Sequence, residues 1–308
     1  MTGAPRLAFL GFGEAATEFS RGLSGAGFVD LAAYDVAIHG GRGEALLRDR
    51  AAQTGTRLLT DREAFGEADV IFAMVQPSVA GVAAEETAPF MRPGAWYVDF
   101  SSAAPSVKQA AAGVIEAAGA GYVDAGIIGS VPTSGYRVPI IMSGIGAAGI
   151  AATFTPFGMK IDVVGTTVGA AAGIKLVRSI LAKGMEALYA EALLVARRTG
   201  VSDEVLDSFC AFLDARPAHD TAGILVRSHV IHAARRADEV AMSRDMVLEA
   251  GVSPHMTDAI ISVMKATAAT GIAQTLGGQQ PSDLDAALDA MDAALAANPS
   301  TNRTRRDS

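Results

Sequence analysis

Along the first half of the chain, short apolar runs alternate with amphipathic, Ala-rich stretches. Residues 6–11, 31–36, 69–75 and 96–100 are rich in apolar and β-prone side chains, and 122–125, 138–143 and 160–164 continue the series. Between them, 14–26, 43–53, 78–91 and 105–118 read as helices, with Pro105 suited to a first turn. The run Asp69-Val-Ile-Phe-Ala-Met-Val75 is apolar without alternation, as a strand covered on both faces requires. This alternation predicts a parallel, doubly wound α/β sheet of Rossmann type.

After Gly165 the pattern changes. Residues 170–198 lack proline and are strong helix formers, a stretch far longer than the usual helix of about 11–12 residues. Gly184 within it costs about 1 kcal/mol of helix propensity and marks close packing. Helical stretches continue over 203–215, 218–234, 238–250, 254–268 and 281–296. Ser202-Asp203-Glu204, Ser253-Pro254 and Pro281-Ser282-Asp283 read as starts, Gly251 and Gly271 as stops. The expected organisation is an α/β domain over 1–165, an all-helical domain over 166–297 and a polar, disordered tail over 298–308. So much helical apolar surface points to burial across a homodimer interface.

Composition narrows the functional classes. The 308 residues are 50% hydrophobic and 19% charged, ample for a sizeable core and too apolar for a disordered chain. A net charge of −8 argues against a nucleic-acid partner, which calls for a basic face. The longest uncharged run, 138–159, holds two prolines and four glycines that break any membrane-spanning helix. Only Arg6 precedes the first apolar run, a poor secretory signal. The single cysteine, Cys210, excludes an internal disulfide framework and reads as core filler. The expectation is a reduced, cytoplasmic protein without a membrane.

Two features carry candidate chemistry. The first strand runs into Gly11-Phe12-Gly13-Glu14-Ala15-Ala16, a G-x-G-x-x-A turn that opens a helix. Gly11 permits the tight turn, Gly13 lets the backbone approach a pyrophosphate, and Ala16 allows close helix–strand packing. Asp35 ends the second strand, 22 residues beyond Gly13. There it would accept the ribose hydroxyls of a dinucleotide and repel a 2′-phosphate, which favours NAD over NADP. His39 and Arg42 would offer such a phosphate a positive site, or simply form a solvated loop.

The second feature is Lys175, set in the apolar stretch Gly169-Ala-Ala-Ala-Gly173-Ile174-Lys175-Leu176. A buried ammonium is costly unless its pKa falls, and a lowered pKa is what an acid/base lysine needs. On spacing alone Lys175 is equally a lysine snorkelling from a helix edge. Ser179 falls roughly 40° from it around the helix, whereas Glu186, ~16 Å away, is out of reach. His229 and His232 share a helix face, but no other His or Cys is near in sequence and no metal is expected. His232, Arg235 and Arg236 would suit an anionic substrate or a solvated basic face. Met242, Met246, Met256 and Met264 read as core or interface packing.

The motifs Gly11-Phe12-Gly13-Glu14-Ala15-Ala16, Val98-Asp99-Phe100-Ser101-Ser102-x-x-Pro105, Val123-Asp124-Ala125-Gly126 and Gly169-x-x-x-Gly173-x-Lys175 follow one another in the order seen in β-hydroxyacid dehydrogenases. The chain resembles that superfamily, which includes 6-phosphogluconate and 3-hydroxyisobutyrate dehydrogenases, over nearly its whole length. Lys175-Leu-Val-Arg178-Ser179, Lys183-Gly184-Met-Glu186 and His232-Ala-Ala-Arg235-Arg236-Ala-Asp-Glu239 resemble the branch whose 6-phosphogluconate dehydrogenase-like C-terminal domain is of unknown function.

The resemblance implies that Lys175 exchanges a proton with the substrate hydroxyl while hydride moves between substrate carbon and nicotinamide. It implies that Ser101 and Ser102 lie near nicotinamide and substrate, and that Val75-Gln76-Pro77 lie along the cofactor. Ser179 stands where the family usually has Asn, and Gly126 to Ser130 match the segment that cradles a substrate carboxylate. Here Ile127-Ile128 put apolar residues where a serine is usual, which opens the way to a larger or less polar substrate. The expected activity is oxidation or reduction of a small, anionic β-hydroxy acid or sugar acid with NAD or NADP. The alternatives are reduction of an imine or a non-carboxylate carbonyl, or cofactor binding without catalysis.

Overall fold

The computed structural model describes residues 4–41 and 43–298. Arg42 and the greater part of the expected tail lie outside the described residues. The first compact unit ends at Leu181 and the second begins at Ala182, a division inside one long helix.

The first unit is built on eight strands in the order β3-β2-β1-β4-β5-β6-β7-β8. In chain order its elements are β1 (Leu7–Leu10), α1 (Glu14–Gly25), β2 (Leu31–Tyr34), α2 (Glu44–Thr54), β3 (Arg57–Leu58), β4 (Val70–Ala73), α3 (Ala80–Thr87), β5 (Trp96–Asp99), α4 (Pro105–Ala117), β6 (Gly121–Ile127), α5 (Val131–Ser134), β7 (Pro139–Ser143), α6 (Ala147–Phe154) and β8 (Lys160–Gly165). It is the Rossmann-type sheet that the alternation predicts. β1, β2 and β4 are buried at every position, because helices cover both faces. Phe9, Phe72, Phe100 and Phe154 are buried and meet in edge-on and tilted ring contacts at the centre.

Three local expectations are corrected. The sheet is parallel only through β6, since β7 runs antiparallel to it. The connection 128–138 is too short for a crossover, whereas α6 makes one between β7 and the parallel β8. The two-residue edge strand β3 is too short to show a pattern. The helix expected over 78–91 is split, with α3 flanked by 3-10 turns at Pro77–Val79 and Ala88–Phe90, each with proline in its first turn.

The remaining helices are α7 (Ala170–Thr199), α8 (Ser202–Asp214), α9 (Ala218–Glu249), α10 (His255–Ala269), α11 (Ile272–Thr275) and α12 (Leu284–Ala297). α9 is a single helix where two were expected. The Arg235-Arg236 segment carries no breaker, and Arg235 pairs with Glu239 one turn on. In the second unit Glu191 accepts the amides of Met256 (2.7 Å) and Thr257 (2.9 Å), capping α10, while Arg198 donates to the carbonyls of Ala250 and Gly251 after α9. No residue of α8 is buried, and Cys210 on it is exposed rather than core filler. Met242 and Met246 are likewise exposed. Among the described residues no helix is long and apolar enough to cross a membrane.

Candidate active site

Strand register aligns the chemistry. Tyr34, Leu10, Ala73, Asp99 and Asp124 are successive partners across β2, β1, β4, β5 and β6. One step further along the chain lie Asp35, Gly11, Met74, Phe100 and Ala125. All five strands are parallel, so these residues share the carboxyl edge of the sheet, where ligands of open α/β sheets bind.

At one end of that edge is the glycine turn. Gly11 has a φ of +83°, and a Cβ there would come within 2.9 Å of the Met74 carbonyl oxygen. Gly13 has open space where its Cβ would stand, and it begins α1 with no side-chain cap. The first amides of α1 are therefore free to meet an anion. The Asp35 carboxylate accepts the amides of Phe12 (2.8 Å) and Ala37 (2.9 Å), so it locks the turn between strand and helix. This cradle fits a dinucleotide pyrophosphate and ribose. Val75, Gln76 and Pro77 follow β4, with Gln76 and Pro77 exposed.

The other end holds a buried ionic cluster. Asp99 and Asp124 are paired residues on neighbouring strands, an arrangement that demands a cation between them. Lys108, on α4, supplies it and is fully buried. Its Nζ donates to the Asp99 carbonyl (2.8 Å), the Asp124 carboxylate (2.8 Å) and the Ala125 carbonyl (3.1 Å), satisfying all three protons. The Asp99 carboxylate also accepts the Ser101 amide (2.7 Å) and the Tyr122 hydroxyl (2.6 Å). Burial, reinforced by Asp99, pushes the Tyr122 phenol far above its ordinary range and keeps it neutral.

Asp124 carries the order of this cluster into α7. Its Oδ2 accepts the amides of Gly169 (3.1 Å) and Ala172 (2.9 Å) and the Ser143 hydroxyl (3.2 Å), while Ser143 Oγ accepts the Ala171 amide (3.0 Å). One turn later stands Lys175, half-buried. A Cβ on Gly126 would lie 3.5 Å from Lys175 Cδ, so the glycine leaves room for the lysine stem. Burial first, and the Lys108 ammonium second, lower the Lys175 pKa, while Asp124 and Asp99 act in the opposite direction.

The first unit thus brings Lys175 together with Gly126 and the ends of β5 and β6. Ser101 is buried and Ser102 beside it is exposed; Ser179, one turn beyond Lys175, is half-buried. His232 and Arg236 stand on α9 in the second unit, where Arg236 donates to Ser228 (2.7 Å). Burial and the nearby Arg236 lower the pKa of neighbouring His229, whose ring bonds the Thr267 hydroxyl. Sequence reasoning missed Lys108. The available signal was a lysine inside an apolar helix together with Val-Asp at the ends of two strands, Val98-Asp99 and Val123-Asp124.

Comparison with known proteins shows the family. Residues 6–165 match the family described as the NAD binding domain of 6-phosphogluconate dehydrogenase, and 196–267 match a domain of unknown function, DUF1932. A conserved hypothetical protein from Sinorhizobium meliloti is 30% identical, with 96% of this chain and 97% of that one covered and a TM-score of 0.62. A conserved protein of unknown function, described as structurally similar to 3-hydroxyacid dehydrogenases, is also 30% identical, covering 89% and 99% at a TM-score of 0.59. An imine reductase from Myxococcus stipitatus in complex with NADP+ shares the fold at 17% identity, covering 87% and 95% with a TM-score of 0.70. The matched domain spans more than half of the chain, and the protein belongs to the NAD(P)-binding 6-phosphogluconate dehydrogenase-like family.

Proposed function

We propose that this protein is an NAD(P)-dependent oxidoreductase that interconverts a CH–OH group and a carbonyl on a small substrate, with Lys175 as general acid/base. The observation that carries the reading is a half-buried lysine with a lowered pKa at the carboxyl edge of a dinucleotide-binding sheet. The nicotinamide, when bound, supplies hydride chemistry at the substrate carbon. Gly11 to Ala16 hold the pyrophosphate and Asp35 the adenosine ribose, which favours NAD; Val75, Gln76 and Pro77 flank the cofactor. Lys175 takes the hydroxyl proton in oxidation and returns it in reduction. Ser101, Ser102, Gly126 and Ser179 orient the substrate, and His232 and Arg236, on α9, are suited to an anionic group. Residues 1–165 bind cofactor, and 166–297 complete the substrate site and the contact between two subunits of a cytoplasmic homodimer. Exposed Val177, Ile180 and Leu181 on α7, together with the unburied face of α8, support such a dimer.

A β-hydroxy acid or sugar acid is the first substrate class to test. Ile127 and Ile128, half-buried beside Gly126, favour a second reading in which the group reduced is an imine or a non-carboxylate carbonyl. The decisive experiment follows nicotinamide absorbance with hydroxy acids, sugar acids, plain alcohols and cyclic imines. Each is run with both cofactors on wild type and Lys175→Met. Loss of a positioned acid/base lowers kcat/KM by about 10²–10⁴-fold. Turnover that survives Lys175→Met refutes the assignment, and cofactor binding without turnover on any class points to a regulatory protein.

A further inference from the structure

We infer that Lys108 is a positioning residue for Lys175: one buried ammonium joins the ends of β5 and β6 to the first turn of α7 and sets the charge that the Lys175 amine meets. The inference rests on the acid/base reading of Lys175. Lys108 bonds the carbonyl of Asp99, two residues before Ser101, and that of Ala125, next to Gly126. Through Asp124 it reaches the amides of Gly169 and Ala172 at the start of the helix that presents Lys175. The segments carrying Ser101, Gly126 and Lys175 therefore share a single buried cation.

The same three side chains fix the local charge. Asp99 on β5 and Asp124 on β6 are adjacent anions, and Lys108 on α4 offsets one of them. Tyr122 on β6 and its stacking partner Tyr97 on β5 are held neutral by burial. On α7 itself the nearest charged side chain in sequence, Arg178, is exposed, and Ser143 on β7 is uncharged. A neutral side chain in place of Lys108 leaves Lys175 to interact with two buried carboxylates that no longer have an ammonium between them. Its amine must then hold its proton more tightly.

The test titrates Lys175 directly. The full-length chain is reductively methylated with ¹³C-formaldehyde, and the Lys175 dimethylamine signal is identified by its absence from Lys175→Met. Its chemical shift is followed with pH in wild type and in Lys108→Met. The same pair is compared in an Asp124→Asn background, which removes one of the two carboxylates and serves if Lys108→Met alone does not fold. The expected result is a Lys175 midpoint displaced to higher pH by Lys108→Met in each background that folds, judged by circular dichroism. An unmoved or lowered midpoint in a folded pair overturns the inference. Because this readout needs neither substrate nor cofactor, it stands or falls separately from turnover by Lys175.

Discussion

The two units bury their surfaces differently. In the α/β unit β1, β2 and β4 are buried at every position, and the charges of Lys108, Asp99 and Asp124 are enclosed with their hydrogen bonds made. In the helical unit α8 contributes no buried residue, α10 only Thr257 and α12 only Ala287, and the ion pairs Arg235–Glu239 and Arg244–Asp258 face solvent. A sheet covered on both faces closes its own core. Helices with one apolar stripe each leave part of it for a partner to cover. Burial is therefore concentrated in the first unit, and exposed apolar helix surface in the second.

Substitutions break this contrast in graded steps. Trp96, the single tryptophan, lies on β5 and reports unfolding of the α/β unit by its fluorescence. The largest loss is expected from Phe72→Ala, about 3–5 kcal/mol, because a fully buried ring leaves a cavity under the central strands. Phe212→Ala on α8 should hardly move that transition and should instead lower the mass measured by light scattering at low protein concentration. Unchanged mass would remove α8 from the proposed interface.

Lys108→Met should cost about as much as the ring deletion, roughly 3–5 kcal/mol, since it strands two buried carboxylates. Arg244→Ala, which breaks an exposed pair, should leave the urea midpoint within error. Equal effects would show that the two units do not differ in the way their charges are housed.

A subtler effect is expected on the pH dependence of stability. Lys175 has a lowered pKa in the folded chain, so between that value and its ordinary 10.5 the unfolded chain binds more protons than the folded one. Stability should rise with pH across that window, and Lys175→Met should flatten the rise. In catalysis the same titration should make oxidation rise with pH and reduction fall. Parallel urea titrations and rate profiles check both signs.

Much of this was legible in the residues. Apolar runs between helical stretches located seven of the eight strands, and the glycine turn with Asp35 fixed one end of the sheet. The reversal at β7 was hidden because direction depends on the length of the connection, not on the strand's own pattern. The Lys108 cluster was hidden because its bonds join residues as many as 48 positions apart in sequence. Lone charges in apolar segments were visible, but that Asp99 and Asp124 stand opposite each other follows only from strand register. In α9 the break expected at 235–237 has no breaker behind it, since arginine and alanine sustain a helix well.

The bond between the Asp35 carboxylate and the Phe12 amide has an evolutionary consequence. The residue proposed to read the adenosine ribose is also a strut of the loop proposed to receive the pyrophosphate, so one side chain would answer to two selections. Replacing it to admit a 2′-phosphate would loosen the loop for either cofactor. A lineage changing its preference is pushed to keep the aspartate and add positive charge in the turn that follows, where variation carries no such penalty.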